Sequence, residues 1–239
     1  MSSRLAVASL AGSPGVSTLV SAMAVASTSP LLVVECPPDG GVFAVRWGLP
    51  REVTLTDLAA DADPGRDLWE RARPWAGASR LLPADASAVA AHRTPVARYV
   101  ADRLAAADVP VMVDLGRLRP DDATLALLRE VDRLWLLLEP TVEHVTAAMS
   151  WRPLLERTCT VELLLADRPA ASGRYPARDV AGTLSWDCLD TIGRDRRGAL
   201  ALRGIGAPSP WLVQRVPLVR QARQLLQQAG MHDQQKAGV

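Results

Sequence analysis

Residues 4–26 read RLAVASLAGSPGVSTLVSAMAVA, from Arg4 to Ala26. Leu5 to Leu10 is an almost unbroken apolar run without the alternation of a strand that has one wet face, so it predicts a strand buried on both sides. Gly12-Ser13-Pro14-Gly15 interrupts it with turn formers, and Val16 to about Ala26 returns to small apolar residues over a helical length. Strand, glycine-rich loop and helix follow in that order. A chain that turns this tightly points successive backbone N–H groups inward and sets a helix N-terminus behind them, which suits an anion such as phosphate. Gly12, Ser13, Gly15, Val16, Ser17 and Thr18 are therefore the candidate binding residues of the loop. No charge occurs from Leu5 to Val34, Arg4 precedes, and Ala22-Met23-Ala24 has the look of a cleavage site. The turn nevertheless falls where a secretory leader needs about seven to fifteen continuous apolar residues, so a leader is not expected.

Further along, short apolar runs recur at Leu31 to Val34, Val109 to Leu115, Leu134 to Leu138 and Val161 to Ala166, with a weaker one at Leu189 to Ile192. Between them lie amphipathic segments at Val96 to Ala107, Asp121 to Val131, Val142 to Leu155 and Leu218 to Ala229, where apolar residues return every three or four positions. Parallel neighbours need a crossover, usually helical and right-handed. The expected fold class is thus α/β, a doubly wound, mostly parallel sheet flanked by helices. Residues 46–91 are broken by prolines and glycines around a possible edge strand at Arg80 to Leu82. Nothing repeats at a fixed period, and the expectation is a single domain over 1–229 followed by a polar, flexible tail at 230–239.

The chain has 239 residues, 49% of them hydrophobic and 22% charged, with a formal net charge of +1. Disorder is excluded by that composition, and a chain of this length buries about 70% of its unfolded surface without a disulfide or metal staple. Charge balance makes no general electrostatic case for nucleic acid. The 27 basic side chains are 26 arginines and one lysine, Lys236, which excludes lysine chemistry from the body of the protein. Cys36, Cys159 and Cys188 have no metal-ligand or disulfide spacing, which fits a reducing cytoplasm. His92, His144 and His232 lie on separate segments and receive no role.

Ala11 to Thr18 resembles the deviant Walker A loop of the ParA/MinD-type P-loop ATPases, KGGxGK followed by two Ser/Thr. Gly12 and Gly15 match glycines of that pattern, Ser17 and Thr18 match the hydroxyl pair, Ala11 stands at the signature lysine and Val16 at the P-loop lysine. Leu32 to Gly41 is similar to the second strand and switch segment of the family, VDxDPQG, with Glu35 at the first aspartate and Pro37 at the second. Val113-Asp114-Leu115-Gly116 resembles the Walker B strand, Leu134 to Val142 the strand and helix start that read VVxPT, and Gly193 to Gly204 faintly the PxDxxAxxxxG segment.

The resemblance implies a site for ATP or ADP with Mg²⁺, built from Gly12, Ser13, Gly15, Val16, Ser17, Thr18, Glu35 and Asp114, with Ser17 and Asp114 serving the metal. Phosphoryl transfer relies on positioned charge, and valine supplies neither charge nor a hydrogen bond. The expected protein is a degenerate, pseudo-ATPase member: a positioning or scaffold protein acting through protein partners, as a homodimer or as a heteromer with an intact relative. The alternative is a slow but genuine ATPase that cycles on DNA or membrane, with an arginine replacing lysine. Arg46, after the switch segment, and Arg117, after the Walker B strand, are the candidates, nothing in the sequence aims either at a phosphate, and both are expected on solvated surface. Asp39 reads as a turn residue beside Gly40-Gly41. Arg215, Arg220 and Arg223 mark the region of the last helix for DNA or membrane contact, a reading less favoured than a packed terminal helix with a solvated face.

Overall fold

The computed structural model describes residues 3–12, 14–50, 54–61, 67–86, 90–167, 174–203 and 213–231. The strands are β1 (Arg4–Ser9), β2 (Leu31–Glu35), β3 (Arg73–Pro74), β4 (Ser79–Leu82), β5 (Val111–Arg117), β6 (Arg133–Leu138), β7 (Thr160–Ala166) and β8 (Asp187–Ile192). They form one sheet in the order β3-β4-β2-β5-β1-β6-β7-β8. Every pairing is parallel except β3 with β4. The helices are α1 (Val16–Ala26), α2 (Phe43–Arg46), α3 (Leu55–Ala60), α4 (Leu68–Arg71), α5 (Ala90–Leu104), α6 (Asp122–Arg129), α7 (Val142–Leu155), α8 (Ala177–Leu184), α9 (Arg196–Ala201) and α10 (Pro217–Gln228).

Strand periodicity sorts the apolar residues into two cores. Ala6 and Ala8, Leu32 and Val34, Val111 and Val113, and Leu134 and Leu136 meet the face covered by α3, α5, α6, α7 and α8. Leu5 and Val7, Leu31 and Val33, Met112, and Trp135 and Leu137 meet the face covered by α1 and α10. The uniformly apolar strands follow from this double cover. Helix α1 is apolar nearly all round because it is enclosed, with the sheet on one side and α10 on the other. By the same alternation Glu35 and Asp114, two residues beyond Val33 and Met112, project towards α1.

The expected α/β architecture is present, and α7 occupies the expected Val142 to Leu155. Val161 to Ala166 and Leu134 to Leu138 each extend by one residue at the start. The weak run at Leu189 to Ile192 is the edge strand β8, whose half-exposed positions explain its faint signal. Arg80 to Leu82 lies in a strand but not at the edge, since β3 pairs outside it, and Pro74 there needs no N–H for a further neighbour. Met231, expected in the tail, is 2% exposed in the core beside α10. Residues 232–239 lie outside the described residues.

Candidate nucleotide cleft

The loop after β1 has the backbone of an anion cradle. Gly12 has φ +60° and Gly15 φ +112°, conformations that L side chains rarely adopt. Gly15 is the N-cap of α1, no side chain caps that end, and no acidic residue sits in its first turn. The free N–H groups and the positive end of the helix dipole therefore face the cleft. Ser13 lies outside the described residues. A cavity of about 300 Å³ opens here, past the C-terminal ends of β1, β2 and β5 where ligands of such sheets bind, lined by Gly12, Gly15, Ser17, Thr18, Gly116, Arg46 and Arg117 among others. A second of about 290 Å³ shares Pro14, Gly15 and Thr18 with it and continues to Asp167, Gly193, Arg194 and Asp195.

Asp114, 0% exposed near the end of β5, accepts the N–H of Gly116 on Oδ1 at 2.8 Å and a hydrogen bond from the Ser17 hydroxyl. Its Oδ2 is buried without a partner. Burial pushes its pKa up to about 6, against the lowering effects of Ser17, Gly116 and the Arg46 charge. An orphaned carboxylate oxygen beside a serine hydroxyl, at the mouth of an uncapped helix, fits the Mg²⁺ of a bound nucleotide. Ser17 and Asp114 are the residues that would hold it, and the metal would supply charge neutralisation at the phosphates. Between Val7 and Ala8 the pairing of β1 with β5 shifts register, and Gly116 at φ +55° lets Pro37 approach where a Cβ would lie 2.8 Å from it. That irregularity turns the strand end around Asp114.

Glu35 is also 0% exposed, and both of its oxygens are engaged by backbone. Oε1 accepts the N–H groups of Val42 at 2.5 Å and Phe43 at 3.0 Å, and Oε2 accepts that of Ala84 at 3.1 Å. Burial pushes its pKa up to about 7, with the three N–H donors pulling down and the neighbouring Asp114 pushing up. A carboxylate so occupied anchors the segment after β2 to the loop after β4. Gly41 fits between them because a Cβ there would meet Ala84 O at 2.6 Å and Glu35 Oε2 at 2.7 Å.

Val16, at the expected lysine position, is 6% exposed and belongs to the apolar cluster of Leu19 and Val20. Cationic charge enters the cleft from elsewhere. Arg46, expected on solvated surface, is half-buried at the end of α2 and lines the cleft, and Arg117 lines it from the end of β5. The expectation failed because the short helix that brings Arg46 back over the loop has no sequence signal of its own. Asp39 is more than a turn residue. It accepts from Arg117 at 3.4 Å and from Arg119, whose hydrogen bond holds its pKa below the usual range.

Two further residues were given no site role by the sequence reading. Asp195 accepts the N–H of Gly198 on Oδ1 at 2.8 Å and that of Leu218 on Oδ2 at 3.2 Å, tying the starts of α9 and α10 together beside the second cavity. Asp167, at the end of β7, is held by Arg174 at 2.5 Å. The Asp-x-x-Gly spacing of a helix cap was the available signal for the first. In α10 the apolar face of Leu218, Val219, Ala222, Leu225 and Leu226 is buried, and Arg223 donates to Gln214 at 2.6 Å, while Arg215 and Arg220 are exposed. No helix among the described residues is long and apolar enough to cross a membrane.

No family model and no curated protein matches the chain. Solved structures do. MinD, the septum site-determining protein of Pyrococcus horikoshii complexed with Mg-ADP, matches at TM-score 0.75 and 15% identity, over 98% of this chain and 100% of that one. A ParA family ATPase from Chlorobium tepidum matches at 0.77 and 15%, over 94% and 98%. The MinC:MinD cell division complex of Aquifex aeolicus matches at 0.70 and 16%, over 95% and 96%. The parallel sheet, the glycine loop leading into α1, and the similarity over whole chains together establish that this protein has the fold of the ParA/MinD-type P-loop ATPases.

Proposed function

We propose that the chain is a ParA/MinD-type protein with a decayed nucleotide site, a pseudo-ATPase that positions or scaffolds other components through protein partners. Chromosome or septum positioning, or localisation of a Tad-type pilus or secretion apparatus, is the kind of role meant. One observation carries the reading: the cradle keeps Gly15 at φ +112° and the orphaned Asp114 oxygen, while Val16 is packed in the core at the position of the catalytic cation. Without that cation, weak nucleotide binding is compatible with the loop and efficient phosphoryl transfer is not. Mg-ADP in the Pyrococcus MinD structure and MinC in the Aquifex complex support a nucleotide and a protein partner as the classes to test. Exposed Val45, Leu200, Val142 and Met149, the last two seven residues apart on α7, offer apolar surface to a partner.

Steady-state hydrolysis of ATP with Mg²⁺ is expected to be far below that of intact ATPases, and turnover at ordinary rates ends the proposal. Val16→Lys is expected to tighten Mg-ADP binding by about one to two decades in calorimetric titration, the worth of one charge-assisted contact. Because Ala11 replaces the lysine that reaches across a nucleotide-bridged dimer in the family, association is expected to be independent of ATP. Equilibrium sedimentation with and without ATP and Mg²⁺ decides this, and a monomer that dimerises only with ATP contradicts it. The arginines lining the cleft favour the second reading, a slow ATPase, over complete loss of nucleotide binding.

A further inference from the structure

We propose that Arg46 is the phosphate-binding cation of this cleft, a charge delivered by the segment after β2 where the loop itself has none; the inference rests on the reading that the cleft takes a nucleotide. Arg46 is half-buried and lines the same cavity as Gly12, Gly15, Ser17 and Thr18. Among the described residues its guanidinium has no hydrogen-bond or ion-pair partner, although it feels the charges of Asp114 and Glu35. A half-buried guanidinium carries five donors and costs free energy unless they are used. Its surroundings add a second sign, since burial and, to a smaller extent, the like charge of Arg203 make its charged form harder to keep. An anion in the cleft relieves both effects, because it offers acceptors to the Arg46 guanidinium and offsets the like charge.

The position is built, not incidental. Glu35 fixes the start of α2 through Val42 and Phe43, and Phe43 is 0% exposed with its ring 4.9 Å from that of Trp75. Four residues of helix then place Arg46 over the loop, so its approach is set by one buried carboxylate and one buried ring. Such support gives a binding side chain its aim. Arg117 is committed in part to Asp39, which leaves Arg46 as the better placed of the two cleft-lining arginines to meet phosphate.

Calorimetric titrations of the full chain with Mg-ADP, Mg-ATP and adenosine test the assignment in the wild type, Arg46→Ala, Arg46→Gln and Arg220→Ala. Arg46→Ala and Arg46→Gln are expected to weaken Mg-ADP binding about 10- to 100-fold while adenosine binding stays within about twofold, and Arg220→Ala, on the exposed face of α10, is expected to match the wild type. Thermal melts and far-ultraviolet circular dichroism establish that each variant is folded, and Arg46→Gln keeps the bulk and hydrogen bonding if Arg46→Ala does not fold. Wild-type Mg-ADP binding that both Arg46 variants retain within twofold overturns the assignment and leaves the nucleotide reading intact. Equal losses for adenosine and Mg-ADP overturn it as well, because the effect is then not on phosphate. A wild type that binds neither nucleotide at millimolar concentration overturns the nucleotide reading and the assignment with it.

Discussion

At the scale of single residues, the two buried carboxylates divide the work that the family resemblance assigned to them jointly. Asp114 keeps one buried oxygen unspent beside Ser17, whereas Glu35 spends both on backbone N–H groups. Glu35→Gln puts an amide donor against one of those N–H groups and is expected to cost about 1–3 kcal/mol of stability at neutral pH. Both groups also make stability depend on pH. Glu35 is raised from 4.5 to about 7 and Asp114 from 3.8 to about 6, so the folded chain binds more protons than the unfolded one between these values. Their contribution is present in full below the unfolded pKa and is lost as pH rises through the folded one. Unfolding free energy from urea titrations is expected to decline from about pH 4.5 to about pH 7, and Glu35→Gln is expected to flatten the upper part of that decline. An unchanged slope in the variant would falsify the assignment to Glu35. Asp39, held low by Arg119, acts with the opposite sign and only in more acidic solution.

At the scale of elements, the cleft depends on how short helices are started. Helix α1 begins at an uncapped glycine and leaves its N–H groups to the cleft, while α9 begins at Asp195, whose second oxygen also holds the first turn of α10. One side chain thus closes two helix starts. Asp195→Ala is expected to cost about 1.5–3 kcal/mol, more than an average cap, because two backbone donors lose their acceptor. Thermal denaturation measures it, and a loss no larger than an ordinary surface substitution disproves the shared cap. Gly198 belongs to the same joint, since a Cβ there would lie 2.4 Å from Asp195 Oδ2. Helix α10 closes the α1 layer with its apolar face, which gives that face a structural use and leaves the exposed Arg220, Gln224, Gln227 and Gln228 for an outside partner.

At the scale of the whole molecule, the sheet is covered on both faces, and its centre is the most sensitive place to remove volume. Trp135 is 0% exposed between the sheet and the α1 layer and donates from Nε1 to Glu162 at 2.8 Å. Trp135→Ala is expected to destabilise the fold by about 3–5 kcal/mol through lost burial and a residual cavity. Chemical denaturation with an unchanged m-value is the check, and a loss under about 1 kcal/mol would mean that the site collapses freely or that the core is not as described.

Sequence alone determined the strand runs, the strand-loop-helix cradle, the position of Asp114 and the absence of lysine from the loop. Each is written in a few consecutive residues: a buried strand needs only an apolar run, a tight turn only its glycines, a missing charge only the residue type. The two-residue β3 and the four-residue α2 are too short to show a period, and tertiary contact decided them. Arg46 is the clearest case. It enters the cleft because Glu35 grips Val42 and Phe43 and, 49 positions away, Ala84, and a buried carboxylate selects its backbone donors only once separate strands have been brought side by side.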